Sequence, residues 1–328
     1  MKRNAPVLLA AAAALTLSAC GGGSLSGDES TSEAEGTSEL TTLSVGIMPI
    51  VDTAPIWLGK EQGFFEAEGL DLDIQTTTGG AAAVPGVVSG DFDFAFGNVV
   101  SVMVANDKGL GIELVSNGNS TTGDTSSDFG AVVVPADSDI QDAADLAGKT
   151  VSVNNLSNIG DTTIRKLVEN AGGDHESIKF VEIPFPDAPA AIESGQVDAA
   201  WILDPFLTQT VENGARVIAY NFAETHPSLD ISGYFTTSSY IEENPEIVEQ
   251  FTRAMKKSLE YAQENPEAVR EIVGTYTKID EEMRAKMVLP AFHADFDREG
   301  LTILGEAAAS YGTLSKAPDL DAMLPAQD

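Results

Sequence analysis

The chain has 328 residues, 43% of them hydrophobic, and carries 18 basic against 51 acidic side chains for a net charge of −33. Such a surface repels phosphate backbones, which excludes nucleic acid as a partner, and it favours solubility, including at high ionic strength. A single cysteine, Cys20, excludes an intrachain disulfide and any multi-cysteine metal or iron–sulfur site, and His175, His226 and His293 show none of the spacings of a metal centre. No metal and no cofactor are expected.

Lys2 and Arg3 precede an apolar run over residues 7–19 that ends in small residues, the pattern of a secretory signal peptide. The run is too short to span a bilayer as a helix. Leu17-Ser18-Ala19-Cys20 resembles the bacterial lipobox, which implies cleavage before Cys20 and lipidation of that cysteine. Residues 1–19 are therefore read as a lipoprotein signal peptide. Its loss removes two basic residues and leaves 16 − 51 = −35 on the mature chain. Residues 20–42 are read as the lipidated cysteine and a disordered tether, because the Gly/Ser/Thr/Glu stretch has almost no apolar side chain to bury. At random-coil dimensions it reaches roughly 25 Å. The expected location is the outer face of the bacterial cell membrane, held by a lipid anchor.

From Leu43 strands and helices alternate, and the alternation occurs twice. Residues 43–47 predict a strand, 54–68 a helix closed by Gly69, and 70–74 a second strand. In the second copy 150–153 predict a strand, 161–171 a helix closed by Gly172-Gly173, and 178–183 the next strand. A third segment also repeats, since residues 88–95 and 193–200 share the pattern S-G-x-x-D-x-A, with Ser89-Gly90 and Ser194-Gly195 placed where a left-handed helix terminus is needed. Two βαβαβ units roughly 105 residues apart predict two α/β lobes with mostly parallel sheets flanked by helices. Ligands of such folds sit beyond the carboxyl ends of the strands, so a shared cleft between the lobes is expected. Asn244-Pro245 and Asn265-Pro266 predict capped helices over 245–264 and 266–276.

A resemblance runs through the same segments. Pro49 to Ile74 contains Gly63-Phe64-Phe65 and Gly69-Leu70. Asp145-Leu146-Ala147-Gly148-Lys149-Thr150-Val151 follows, then Gly195-Gln196-Val197-Asp198-Ala199-Ala200-Trp201 with Asp204-Pro205. Together they resemble the nitrate/sulfonate/taurine and thiamine-pyrimidine group of ABC transporter substrate-binding proteins, over residues 43 to about 278. The resemblance implies a type II periplasmic-binding fold that is open without solute and closes when a solute touches both lobes. It implies as partners a small-molecule ligand, an ABC permease and its ATPase, and a monomeric chain. It divides the protein into a first part of lobe I at 43–128, lobe II at 129–222, and a return crossover with helical completion of lobe I at 223–328.

The segments leaving the strands supply the candidate ligand contacts: Asp52, Trp57, Thr78, Gly79, Gly80, Gly97, Asn98, Asn119, Asn154, Ser157, Asn158, Gly160, Phe185, Asp187, Trp201, Asp204 and Tyr234. Asn98 and Asn154, each directly after an apolar strand, are the leading polar contacts, although either also suits a turn. Asp187 before Ala188-Pro189 also suits a helix cap, Asp204 before Pro205 a turn, and Trp57 and Trp201 either a stacking surface or the core. These segments hold no Lys or Arg, whereas Asp52, Asp161, Asp187 and Asp204 lie in or beside them; only Arg165, one turn into a helix, could reach back. That balance favours a neutral or cationic heteroaromatic, such as a thiamine-pyrimidine precursor, over nitrate, an alkanesulfonate or taurine, which need donors aimed at an anion. A sensory lipoprotein on the same fold is the alternative role. An enzyme fits least, because no activated-nucleophile pattern is present.

Overall fold

The computed structural model describes residues 40–325, so Cys20, the signal peptide and nearly all of the tether lie outside the described residues. Ten strands form two five-stranded sheets of the same design. The first contains β1 (Thr41–Ile47), β2 (Leu70–Thr76), β3 (Phe94–Asn98), β4 (Ile112–Ser120) and β10 (Asp230–Thr237), in the order β2-β1-β3-β10-β4. The second contains β5 (Gly130–Val134), β6 (Thr150–Val153), β7 (Lys179–Glu182), β8 (Ala199–Leu203) and β9 (Arg216–Ala219), in the order β7-β6-β8-β5-β9. In each sheet three neighbouring strands pair in parallel, and the fourth, β10 or β5, runs antiparallel to the strands on either side of it. The inner parallel strands β3 and β8 are short runs buried along their whole length, whereas the edge strands β2 and β7 carry exposed polar residues.

The antiparallel strands are the ones that cross. The chain leaves the first sheet after Ser120 and enters the second at Gly130, then leaves it after Ala219 and returns at Asp230. The two crossing segments are bonded to each other, Thr121 N donating to Leu229 O at 2.9 Å. Buried carboxylates brace both: Asp128 accepts from Thr121 Oγ1, Thr122 N and Phe129 N, and Asp230 from Asn117 Nδ2, Ser120 Oγ and Asp297 N.

Several expectations shift when packing is considered. The helix expected over 54–68 is two helices, Ala54–Glu61 and Phe64–Ala67, because Gly63 takes a left-handed φ of 72° and breaks the run. The repeated Ser-Gly behaves as its pattern predicts, with Gly90 and Gly195 at φ 80° and 66° just beyond their helices. The third strands begin only afterwards, at Phe94 and Ala199. Helices Pro245–Glu264 and Pro266–Tyr276 fall at the expected bounds, each with proline at its first position. The asparagines before them do not cap through their side chains; Asn244 and Asn265 donate back to Tyr240 O and Tyr261 O, tying each helix to the one before it.

Helix Pro245–Glu264 buries Phe251, Ala254, Met255, Ser258, Leu259 and Ala262, one face at helical spacing. Phe251 stacks on Phe94 of β3 with centroids 4.1 Å apart and also meets Phe65 and Tyr234. Helix Arg298–Ser310 leads to Tyr311, whose hydroxyl reaches Glu169 at 2.5 Å on the far side of the cleft. Truncating Phe251, fully buried at the centre of this aromatic group, leaves a cavity. Phe251→Ala should cost about 3–5 kcal/mol of unfolding free energy, read as a lowered urea midpoint at an unchanged denaturant slope.

Candidate functional site

The carboxyl ends of the parallel strands face one another, and a narrow pocket with about 10 Å³ of free space lies between them. The first lobe contributes Met48 beyond β1, Ile50, Asp52, Phe96 and Asn98 at the end of β3, and Ile231 and Ser232 from the start of β10. Because β10 is antiparallel, its first residues arrive at the same edge where its neighbours end. The second lobe contributes Asn154 beyond β6, Ile159, Phe185, Trp201 and Leu203 of β8. The free space is room for about one water molecule, whereas small-molecule clefts usually span roughly 300–1,000 Å³, so the lobes stand close together here and must part to admit a solute. They touch directly: Val51 N donates to Asp204 O at 3.2 Å, Asn158 Nδ2 to Ser101 Oγ at 3.0 Å, and Asn154 Nδ2 lies 3.9 Å from Met48 Sδ.

Asp52 sits in a short turn of 3-10 helix, Val51–Thr53, and is 1% exposed. Asn119 Nδ2 donates to its Oδ1 at 3.0 Å, and the Asn119 carbonyl oxygen in turn accepts from Ser232 Oγ, its neighbour across the β4/β10 ladder. Oδ2 has no hydrogen-bond partner in the protein. Burial, only partly offset by these hydrogen bonds and reinforced by the nearby Asp128 and Asp204, raises the Asp52 carboxyl to about 7. Three further buried polar atoms at or beside the pocket are also unpartnered: Asn154 Oδ1, Trp201 Nε1 and the Tyr234 hydroxyl. The chemistry on offer is two acceptors, two donors and flat apolar walls, with Phe185 edge-on to Trp201 at 5.2 Å.

Of the seventeen expected contacts, Asp52, Asn98, Asn154, Phe185 and Trp201 line the pocket. A second group supports it. Asn119 orients Asp52; Tyr234 packs edge-on against Phe96; Gly160 lies against the Trp201 ring, and Gly97 against the Gly80 backbone. Gly79 allows the closest approach, since a Cβ there would fall 2.2 Å from Asn155 Oδ1 of the opposite lobe. Asn98 and Asn158 both cap helices, Asn98 accepting from Ser101 N and Asn158 from Ile159 N. Ser157 is exposed at φ 51° and its amide donates to Asp161.

Five of the residues considered above do not line this pocket. Trp57 does not face the pocket; it stacks on Tyr276 at 5.2 Å, whose hydroxyl donates to Ile50 O. Thr78 and Asp187 are exposed, and Asp187 makes no side-chain cap bond because its backbone is already helical at that position. Asp204 is fully buried, but its carboxylate is turned away to accept from Thr208 N and Val288 N, each at 2.9 Å. Arg165 does not reach back; it donates to His175 O and lies over the Phe180 ring. The apolar part of the lining, Met48, Ile50, Phe96, Ile159, Leu203 and Ile231, and the polar Ser232 were not among the expected contacts, although Met48, Ile50, Ile159 and Leu203 lie at or after the ends of β1, β6 and β8. Among the described residues no group of three or more His, Cys, Asp and Glu side chains could hold a metal ion.

Residues 50–269 match the family model described as NMT1/THI5 like. The chain belongs to that family. The formylaminopyrimidine-binding protein of Halalkalibacterium halodurans is 26% identical over 225 residues, covering 67% of this chain and 65% of that protein, so the chain spans somewhat less than two thirds of that relative. A putative aliphatic sulfonates-binding protein of Bacillus subtilis is 25% identical over 291 residues, 86% of this chain and 81% of the relative. Among solved structures, the alkanesulfonate-binding protein SsuA from Xanthomonas axonopodis pv. citri, bound to MOPS, superposes with a TM-score of 0.72 at 16% identity, covering 87% of this chain and 98% of that one. The nitrate-binding protein NrtA from Synechocystis PCC 6803 gives 0.71 at 15%, covering 87% and 86%. The fold of this family member is therefore the two-lobed periplasmic-binding-protein fold.

The raised Asp52 carboxyl makes stability depend on pH. Its pKa in the folded state lies above the unfolded value of 3.8, so its contribution is complete below pH 4 and is lost as pH rises through about 7. Asp52→Asn removes that loss, and the variant should be more stable than the parent by a few kcal/mol at pH 8 and no more stable at pH 4, read by thermal melting across pH.

Proposed function

We propose that this protein is the solute-binding component of an ABC importer, anchored outside the cell membrane through Cys20, and that it captures a small neutral or cationic heteroaromatic between its lobes. In this reading the lobe boundaries are 43–128, 129–222 and 223–328, the two crossing segments act as the hinge, and the closed form is what the permease reads. Family membership supports the binding role, and the formylaminopyrimidine-binding relative supports the ligand class.

The observation that carries the reading is the charge of the pocket. No Lys, Arg or His lines it, and its one ionisable side chain is an acid with a free oxygen. An anion could also use helix N-termini, and two of those beside the pocket are already engaged by the protein itself. Asp161 accepts from Ser157 N and Asn158 N at the start of helix Ile159–Asn170, and Asn98 caps Val99–Asp107. An aminopyrimidine matches what is left: donors for Asp52 and Asn154, an acceptor for Trp201, and a flat ring for the aromatic walls.

The test is the melting temperature of the purified protein against nitrate, alkanesulfonates, taurine, aminopyrimidines, thiamine and flavins. A ligand at 100 times its dissociation constant adds about 2.7 kcal/mol, a shift of several degrees. Aminopyrimidines or thiamine should raise it and the anions should not; a rise with the anions alone would overturn the ligand class.

A further inference from the structure

Asp52 differs from the two acids nearest it. Asp128 and Asp204 are as deeply buried, but each has hydrogen-bond donors on both carboxylate oxygens, from Thr121, Thr122 and Phe129 in one case and from Thr208 and Val288 in the other. Burial raises both of these carboxyls as well, Asp204 to about 6, but their donors on both oxygens favour the ionised form. Asp52, which lines the pocket, has one side-chain donor, on Oδ1, and its buried Oδ2 has none.

The groups facing Asp52 from every side supply no compensating positive charge. Tyr234 of β10 and Tyr276 of helix Pro266–Tyr276 are phenols held neutral by burial, Asn119 of β4 is an amide, and Asp204 at the end of β8 and Asp128 in the first crossing segment are acids. A full negative charge on Oδ2 beside two other buried carboxylates is costly unless a cation meets it. Without one, a proton on Oδ2 is the cheapest neutraliser.

We propose that Asp52 is the charge selector of this pocket and that a planar amidinium or aminopyrimidinium cation enters by replacing the proton on Oδ2. The O–H bond of the carboxyl breaks, the proton leaves to solvent, and an N–H of the incoming cation donates to the carboxylate so formed. Capture is thus an exchange of one positive charge for another, and the pocket's net charge is unchanged by it. A ligand carrying a carboxylate in the same place would meet Oδ2 as a second acid, with no donor to share except the proton itself. This rests on the heteroaromatic reading of the pocket given above and extends it to how the ligand's charge is chosen.

Benzamidine, benzamide and benzoate have one shape and carry positive, zero and negative charge, and they separate the two readings. Titration calorimetry of the full chain in buffers of different ionisation enthalpy measures the protons released. Near pH 6 benzamidine should release close to one proton, and near pH 9 none. Its affinity should rise about tenfold per pH unit below neutrality and then level off. Benzamide should bind without proton release, and benzoate should be the weakest of the three at neutral pH. In Asp52→Asn the proton release should vanish and benzamidine should lose its advantage over benzamide. Benzamidine binding with no buffer dependence near pH 6, proton release that survives in Asp52→Asn, or benzoate binding as well as benzamidine would each overturn the proton exchange while leaving the binding role standing. Silence from all three at millimolar concentration would count against the heteroaromatic pocket itself, and the exchange would fall with it.

Discussion

The cleft depends on one carboxylate held out of water with only half of its hydrogen bonding satisfied. Asp52 is kept in place by a relay that begins in the backbone: the β4/β10 ladder sets Ser232 beside Asn119, Ser232 fixes the Asn119 carbonyl, and the Asn119 amide then points at Asp52 Oδ1. That ladder is itself a product of the return crossing, since β10 arrives from the other lobe. The acid that faces the pocket is thus positioned by the same strand that joins the lobes.

Around it, the protein uses neutral polar groups on itself. Asparagines 98 and 158 close helix N-termini that would otherwise offer amides to an anion, and Asp161 doubles the closure at the second helix. A helix N-terminus is a ready anion site only while its amides are free. Asp204 works in a related way, spending its carboxylate on Thr208 and on Val288 of the C-terminal region while its carbonyl oxygen takes Val51 N, one residue from Asp52.

Much of the fold was legible because its signals are local. The Ser-Gly repeats mark positions where the backbone must turn left-handed, and Asn-Pro marks a helix start even where the asparagine's side chain bonds backwards instead of capping. The site was only half legible. Residues 48–53, 97–101 and 154–160 could be assigned to the cleft because they follow apolar strands. Which of their side chains turn inward could not, because that depends on the partner: Tyr276, more than two hundred residues away, takes the face of Trp57, and Val288 takes the carboxylate of Asp204.

The sequence by itself determined that there are two similar α/β lobes, roughly where their parallel strands fall, and that the surface is strongly acidic. Periodicity, glycine conformation and charge are properties of short stretches or simple sums. Only the tertiary structure decided that β5 and β10 are the antiparallel strands of their sheets, that Asp52 has a free oxygen while Asp204 does not, and that no basic side chain lines the pocket. Hydrogen bonds compete for a fixed number of donors, and which buried acid goes short is settled only when every distant neighbour is in place.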